Sequence, residues 1–174
     1  RVALGNDREI IELPVGFKYI ASEMLSGEVL VGGEESGGIG FGMHLPERDA
    51  VFTAMLLLEA LIDGEKPLAA RLNVLKEQFG GNSEYKRIDL KLENMASRDR
   101  LVNSLSETPP LAINEFQVLE TIHTDGLKLR LGDSHWLMFR FSGTEPLLRI
   151  YCEAPTKHEL EMTLDWAKDL AQKI

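Results

Sequence analysis

Two short stretches of this sequence carry side chains suited to holding a phosphorylated ligand. Arg140-Phe141-Ser142-Gly143-Thr144-Glu145-Pro146 is a small polar turn between two apolar runs, Trp136 to Phe141 and Leu147 to Cys152. A planar Arg fork, two hydroxyls and a backbone relaxed by Gly143, whose N–H groups can turn inward, are what the oxygens of a phosphate require. Far upstream lies a Gly-rich loop, Gly32-Gly33-Glu34-Glu35-Ser36-Gly37-Gly38. There an ionised Glu34 could accept hydrogen bonds from two neighbouring hydroxyls, as on a sugar, and Ser36 could donate or accept another. Each loop also has a plainer reading. Ser-Gly between two β-like segments is an ordinary hairpin signal, and Gly-Glu-Glu-Ser-Gly alone can be an acidic loop that binds nothing.

Composition narrows the class of ligand. The chain has 174 residues, 44% hydrophobic and 27% charged, which suits one ordinary soluble domain or two small ones. A net charge of −9 argues against a general nucleic-acid or anionic-membrane binder, since those affinities rest on clustered Lys and Arg. Any anion site must be local. Residues 1–84 hold 7 basic and 14 acidic side chains, and the remainder 12 and 14, so the part with the proposed phosphate loop is the nearer to neutral. The longest apolar run, Ala50 to Ile62, is too short to span a bilayer, and nothing resembles a signal peptide. The single cysteine, Cys152, excludes an internal disulfide and is compatible with a cytoplasmic location. The chain begins at Arg1 rather than Met, so a fragment or a processed product is expected.

The elements that must position these loops are readable in outline. Glu9 to Leu13 alternates as a short strand, and Pro14 and Gly16 lead into a helix with Phe17, Ile20, Ala21 and Met24 on one face, stopped by Gly27. Val29-Leu30-Val31 reads as a buried strand delivering the chain into the Gly33 to Gly38 loop, a β-α-β-loop order with the ligand loop beyond the strand's carboxyl end. Ala50 to Ile62, preceded by Asp49, is a helix apolar on most sides and therefore expected to be buried; an amphipathic helix follows Pro67. Gly80-Gly81-Asn82-Ser83 is the best linker candidate, which sets an expected domain at 1–80, a linker at 81–84 and a second domain at 85–174. Beyond it the pattern gives a strand from Tyr85 to Leu92, a helix from Ala96 to Leu105, and strands Phe116 to Ile122, Leu127 to Leu131 and Trp136 to Phe141. Asp125-Gly126 and Gly132-Asp133 mark the turns, and Thr156 caps a last helix. The expected fold is thus an α/β domain with a partial mixed or parallel sheet and helices, then a smaller α+β domain whose antiparallel sheet is covered by helices.

Taken in order, Leu13 to Ile20, Gly33-Glu34-Glu35-Ser36-Gly37 and Arg140-Phe141-Ser142-Gly143-Thr144 resemble the opening of the third domain, the sugar-recognition loop and the fourth-domain phosphate loop of the α-D-phosphohexomutases, the phosphoglucomutase and phosphomannomutase enzymes. The resemblance covers nearly the whole chain but only the C-terminal part of such an enzyme. It implies that Glu34 and Ser36 contact the hexose while Glu35 does not, and that Arg140, Ser142, Gly143 and Thr144 hold the phosphate that is not being transferred. Arg149, in the next strand, could add a second positive charge. Lys18, His44 and Arg48 are softer candidates for ligand contact; relatives carry a basic residue near Arg48, offset by one here. Relatives often have Thr at Val15, and some have His at Gly38.

The reaction implied for the full-length enzyme interconverts hexose 1-phosphate and hexose 6-phosphate through a hexose 1,6-bisphosphate. It uses a phosphoserine and an Mg²⁺ held by an Asp-rich loop, both in N-terminal domains that would be partners of this part. Asp7, Asp49 and Asp63 are scattered, so no metal site and no catalytic residue is expected here, and the chain alone should bind substrate without turning it over. Gly80-Gly81 would let the phosphate loop follow a reorienting sugar. Glu35 and Gly38 suggest glucose or mannose phosphates rather than amino-sugar phosphates. A rival reading is a non-catalytic sugar-phosphate-binding or regulatory module, and a blander one is an interaction domain whose loops bind nothing.

Overall fold

The computed structural model describes residues 1–64, 66–81 and 83–173. The chain forms two compact units, Arg1–Gly80 and Gly81–Ile174. Of the expected linker 81–84, Asn82 lies outside the described residues, and Glu84 already belongs to a strand.

In the first unit, helix α1 (Phe17–Ser26) is followed by strands β1 (Val31–Gly33) and β2 (Ile39–Phe41), then helices α2 (Ala50–Ile62) and α3 (Leu68–Phe79). Phe17, at the start of α1, is its one buried large apolar side chain among the described residues. Gly40 and Gly32 let α1 press on the hairpin: a side chain at Gly40 would meet Phe17, the Glu47 carbonyl and Met24, and one at Gly32 would collide with Ile20. The α1 boundary, its stop at Gly27 and the Asp49 cap of α2 match the sequence reading; the Asp49 carboxylate accepts the Phe52 N–H at 2.9 Å.

Four details of this unit differ from expectation. β1 and β2 pair antiparallel, Val31 with Phe41 and Gly33 with Ile39, so the Gly-rich loop is the tip of a hairpin rather than the end of a parallel strand. The strand signal at Val29-Leu30-Val31 is displaced onto Val31–Gly33, and Leu30 and Val31 are exposed, because a two-stranded ribbon has too little surface to cover them. Glu9 to Leu13 has no paired strand, and without a partner its alternation produces only extended backbone. Helix α2 forms where expected but is not buried: Val51, Met55, Leu58 and Ile62 are exposed, since the small hairpin offers only one side to pack against.

The second unit is built on a five-stranded antiparallel sheet in the order β3-β9-β8-β7-β6. The strands are β3 (Glu84–Lys91), β6 (Glu120–Ile122), β7 (Leu127–Gly132), β8 (His135–Phe141) and β9 (Leu147–Ala154). Alternate residues point inward, which is the period of two expected of a half-covered sheet. Leu127, Leu129, Leu137, Phe139, Leu148, Ile150 and Cys152 form the core with residues of two helices, α4 (Met95–Glu107) and α5 (Lys157–Lys173). Leu101 and Leu105 come from α4, and Leu160, Leu164 and Ala167 from α5. Thr156 caps α5 reciprocally: its hydroxyl accepts the Glu159 N–H at 3.2 Å and donates to the Glu159 carboxylate at 2.7 Å.

The expected strand Phe116 to Ile122 is instead two short ones, because the chain changes partner midway. A small hairpin, β4 (Ala112–Ile113) and β5 (Phe116–Gln117), precedes β6, with Asn114 in the left-handed region at its turn. Val118 N–H then bonds Leu111 and Leu119 N–H bonds Arg130. An Asn-Glu turn lacks the Gly that marks hairpins in sequence, which is why β4 was not expected.

One buried polar pair ties helix to sheet. His135, at the first position of β8, lies edge-on to Phe116 and its Nε2 is 2.9 Å from the Thr163 hydroxyl of α5. Burial lowers its pKa, against the smaller opposing pull of Glu159 and Glu115. The folded protein therefore resists a proton that the unfolded chain accepts. Stability supported by neutral His135 is complete above its ordinary value of 6.5 and declines as pH falls through that value toward the lower folded one. Urea unfolding of wild type and His135→Gln between pH 8 and pH 5 should show a steeper loss on acidification in the wild type; parallel curves would remove His135 as the cause.

Candidate functional site

The loop of residues 142–146 closes β8 onto β9 and is held at several points. Ser142 N–H donates to the Leu147 carbonyl at 2.9 Å across its mouth, and Leu92 N–H donates to the Pro146 carbonyl at 2.8 Å. Gly143 and Thr144 are exposed, and nothing lies within 4 Å of where a Gly143 side chain would begin. That leaves the loop backbone open to an approaching ligand. The Thr144 N–H lies 3.4 Å from the Ser142 hydroxyl.

Arg140 and Arg149 sit at directly paired positions of β8 and β9 and so share the outward face of the sheet beside this loop. Directly opposed like charges are unfavourable unless each is compensated. Here each guanidinium has a carboxylate on its far side. Arg140 Nε donates to Asp125 at 2.9 Å, and Arg149 Nε is 3.9 Å from Asp89, the residue paired with it on β3. Asp89 is also gripped by Arg87 at 2.7 Å, and this hydrogen bond, helped by the charges of Arg87 and Arg149, holds its carboxyl below the ordinary value. The row thus carries three guanidiniums, Arg87, Arg140 and Arg149, and two carboxylates, Asp89 and Asp125.

In the first unit the hairpin tip is closed by Glu34 N–H to the Gly38 carbonyl at 2.9 Å and Gly37 N–H to the Glu34 carbonyl at 3.0 Å. The Glu34 side chain is only 14% exposed and accepts from Arg48 Nη1 at 3.2 Å. One arginine contact leaves a carboxylate with further acceptor capacity for hydroxyls. The Arg48 stem passes over Gly38, where a Cβ would lie 3.1 Å from it. Gly37, Gly38, Ile39 and Arg48, with Ala50, Thr53, Ala54 and Leu57, line a cleft of about 410 Å³. Ser36 and Glu35 are exposed at the tip. Lys18 lies over the Tyr19 ring, 4.8 Å from its centroid, and His44 stacks on Phe52 while bonding Asp49 at 3.0 Å. The Phe52 N–H, then His44, keep the Asp49 carboxyl below its ordinary value.

The structure therefore brings Glu34 and Arg48 together in one unit, and Arg140, Ser142, Gly143, Thr144 and Arg149 together in the other. Sequence reasoning passed over Asp125, Asp89 and Arg98. In the sequence Asp125 marks only a turn, and Asp89 lies without any signal of its own within the strand from Tyr85 to Leu92. Arg98, in the first turns of α4, donates its Nε to the Ser142 carbonyl at 3.0 Å. The sheet register reveals Asp89, the turn into β7 brings in Asp125 and helix α4 brings in Arg98, all through contacts distant in the chain. Cys152 is buried and its thiol is pushed up to about 12, which removes it as a nucleophile near neutral pH. Among the described residues no group of three or more His, Cys, Asp or Glu could hold a metal ion. No helix among them is long and apolar enough to cross a membrane.

Two family descriptions cover most of the chain: "Phosphoglucomutase/phosphomannomutase, alpha/beta/alpha domain III" matches residues 1–79, and "Phosphoglucomutase/phosphomannomutase, C-terminal domain" matches residues 94–169. The chain belongs to the phosphoglucomutase/phosphomannomutase family. Among its relatives are a phosphoglucosamine mutase of Limosilactobacillus fermentum, 30% identical over 94% of this chain and 32% of the relative, and a phosphoglucomutase/phosphomannomutase of Thermococcus kodakarensis, 27% identical over 94% and 33%. The chain thus spans about a third of the length of these curated relatives. A crystal structure of a phosphoglucomutase/phosphomannomutase family protein from Burkholderia thailandensis shares the fold with a TM-score of 0.74 at 21% identity, over 99% of this chain and 35% of that one.

The turn that delivers Asp125 to Arg140 depends on Gly126. This residue has φ +108°, and a Cβ there would collide with the Phe139 carbonyl of β8. Gly126→Ala is expected to lower stability by about 1–3 kcal/mol or more, the cost of forcing a side chain into that backbone region and against β8. Denaturant titration measures it, and an unchanged midpoint would show that the turn can relax without Gly.

Proposed function

We propose that this chain supplies the sugar and phosphate contacts of a phosphohexomutase, as the third and C-terminal domains of a longer enzyme. Glu34 and Ser36 accept and donate hydrogen bonds to adjacent hexose hydroxyls, with Arg48 holding the Glu34 carboxylate in place. Arg140 and Arg149 face the non-transferred phosphate, and Ser142, Gly143 and Thr144 supply hydroxyl and backbone donors around it. The observation that carries this reading is the pairing of Arg140 with Arg149 beside an exposed Ser-Gly-Thr loop, in a chain of this family.

In the whole protein, a phosphoserine of the preceding domains gives its phosphoryl group to the free hydroxyl of the bound hexose phosphate. The resulting 1,6-bisphosphate returns its other phosphoryl group to the serine, leaving the isomeric hexose phosphate. The residues described here would bind and orient the sugar phosphate, and the transfer, with the Mg²⁺ that the resemblance implies, would fall to the other domains. Relatives named phosphoglucosamine mutase and phosphoglucomutase/phosphomannomutase leave glucose, mannose and glucosamine phosphates as the substrate class.

Glucose 1-phosphate and glucosamine 1-phosphate, with free glucose and inorganic phosphate as controls, separate the two contacts by NMR. Amides of residues 142–145 should shift with every phosphate-bearing ligand, and amides of residues 34–37 with ligands bearing the sugar. Arg140→Ala should weaken the phosphate response roughly 10- to 100-fold, the size of one lost charge-assisted contact. Loop 142–145 ignoring all phosphate-bearing ligands would overturn the proposal.

A further inference from the structure

Arg98 lies outside the residues that face the proposed phosphate, yet it touches the loop that holds it. Its position is built up in steps from the sheet. Leu92 N–H is fixed to the Pro146 carbonyl, Asn94 caps α4 by accepting the Ser97 N–H at 2.9 Å, and the first turns of α4 then carry Arg98 to the loop. The guanidinium, 23% exposed, donates from Nε to the Ser142 carbonyl at 3.0 Å and from Nη1 to Asp99 at 2.6 Å.

The contact has a geometric consequence for the next residue. The peptide joining Ser142 and Gly143 is trans, and in a planar trans peptide the C=O of one residue and the N–H of the next point in opposite directions. Drawing the Ser142 carbonyl toward α4 therefore turns the Gly143 N–H away from α4. That N–H makes no hydrogen bond among the described residues, and Gly143 stands in open space. A donor fixed in direction before its acceptor arrives needs no reorganisation on binding.

From this geometry, and resting on the function proposed above, we infer that Arg98 is a positioning residue for the phosphate loop: its bond to the Ser142 carbonyl aims the Gly143 N–H at the phosphate. Arg98 acts through the peptide and does not touch the ligand. The long guanidinium stem, anchored by Asp99 on one edge, reaches the loop with a single directed Nε donor, which lysine cannot reproduce with the same geometry.

The test titrates inorganic phosphate into wild type, Arg98→Gln, Arg98→Lys and Arg100→Gln, following the amide resonances of residues 142–145. Arg100 is on the same helix and donates to the Ser97 hydroxyl at 3.0 Å, so its variant removes an equal charge while keeping the Arg98 contact. Arg98→Gln should displace the Gly143 amide resonance before any phosphate is added and weaken phosphate binding about tenfold, the loss of one hydrogen bond from a charged donor. Arg98→Lys should recover part of the affinity, and Arg100→Gln should match wild type. If Arg98→Gln does not fold, Arg98→Lys carries the test, with a displaced Gly143 resonance and weakened binding expected. Unchanged affinity and resonance in folded Arg98 variants, or an equal loss in Arg100→Gln, would overturn this role while leaving the phosphate site standing. A wild-type loop that ignores phosphate overturns the proposed function and this role with it.

Discussion

Two arginines on neighbouring strands repel one another, and the second unit is arranged so that this repulsion is tolerable. Arg140 and Arg149 are paired in register, so any geometry that preserves the β8–β9 ladder forces their stems onto the same face. A carboxylate stands outside each, Asp125 on the turn before β7 and Asp89 on β3. The charge order across the sheet is therefore acid, base, base, acid. Each carboxylate meets its base at Nε, Asp125 at 2.9 Å and Asp89 at 3.9 Å, and Asp89 is shared with Arg87. The anion site proposed above would draw on this arrangement, with each base already compensated on its outer side.

The first unit solves a related problem with fewer parts. Its Glu34 carboxylate is largely sequestered from solvent beside the backbone of a hairpin tip, and Arg48 orients it from one side. A carboxylate already aligned by an arginine presents its remaining acceptor positions in fixed directions, which suits a ligand whose hydroxyls are also fixed relative to one another. The glycines of β1 and β2 let α1 approach the ribbon closely, so β2 is backed at Gly40 by the buried side chain of Phe17.

Elements whose stabilising contacts lie nearby in sequence were legible. Helix α2 is capped by Asp49 and α5 by Thr156, and the apolar face of α5 and the alternation in β7, β8 and β9 are local patterns. The glycine-flanked loops were legible as candidate ligand contacts for the same reason. What escaped depends on partners distant in the chain. Glu9 to Leu13 has strand periodicity but no strand to pair with, and periodicity cannot say so. Phe116 to Ile122 reads as one strand, yet it switches from Leu111 to Arg130 as hydrogen-bond partner. The apolar character of α2 predicts burial, although a two-stranded ribbon cannot supply it. In the site, Arg140 was visible and its counterion was not, because Asp125 meets it only through the turn into β7.

The strand order also dictates how the second unit comes together. β6, β7, β8 and β9 follow one another as a meander, each joined to the next by a short connection, so their pairings close small loops at little entropic cost. β3 is the exception: it precedes all of them in sequence but lies beside β9, the last strand, with α4 and the small β4–β5 hairpin between. Its docking is the long-range closure that raises contact order and slows folding. Asp89 rides on that strand. The carboxylate that meets Arg149 therefore comes from the strand whose pairing closes the longest loop of the sheet, and Arg87 arrives with it on the same strand.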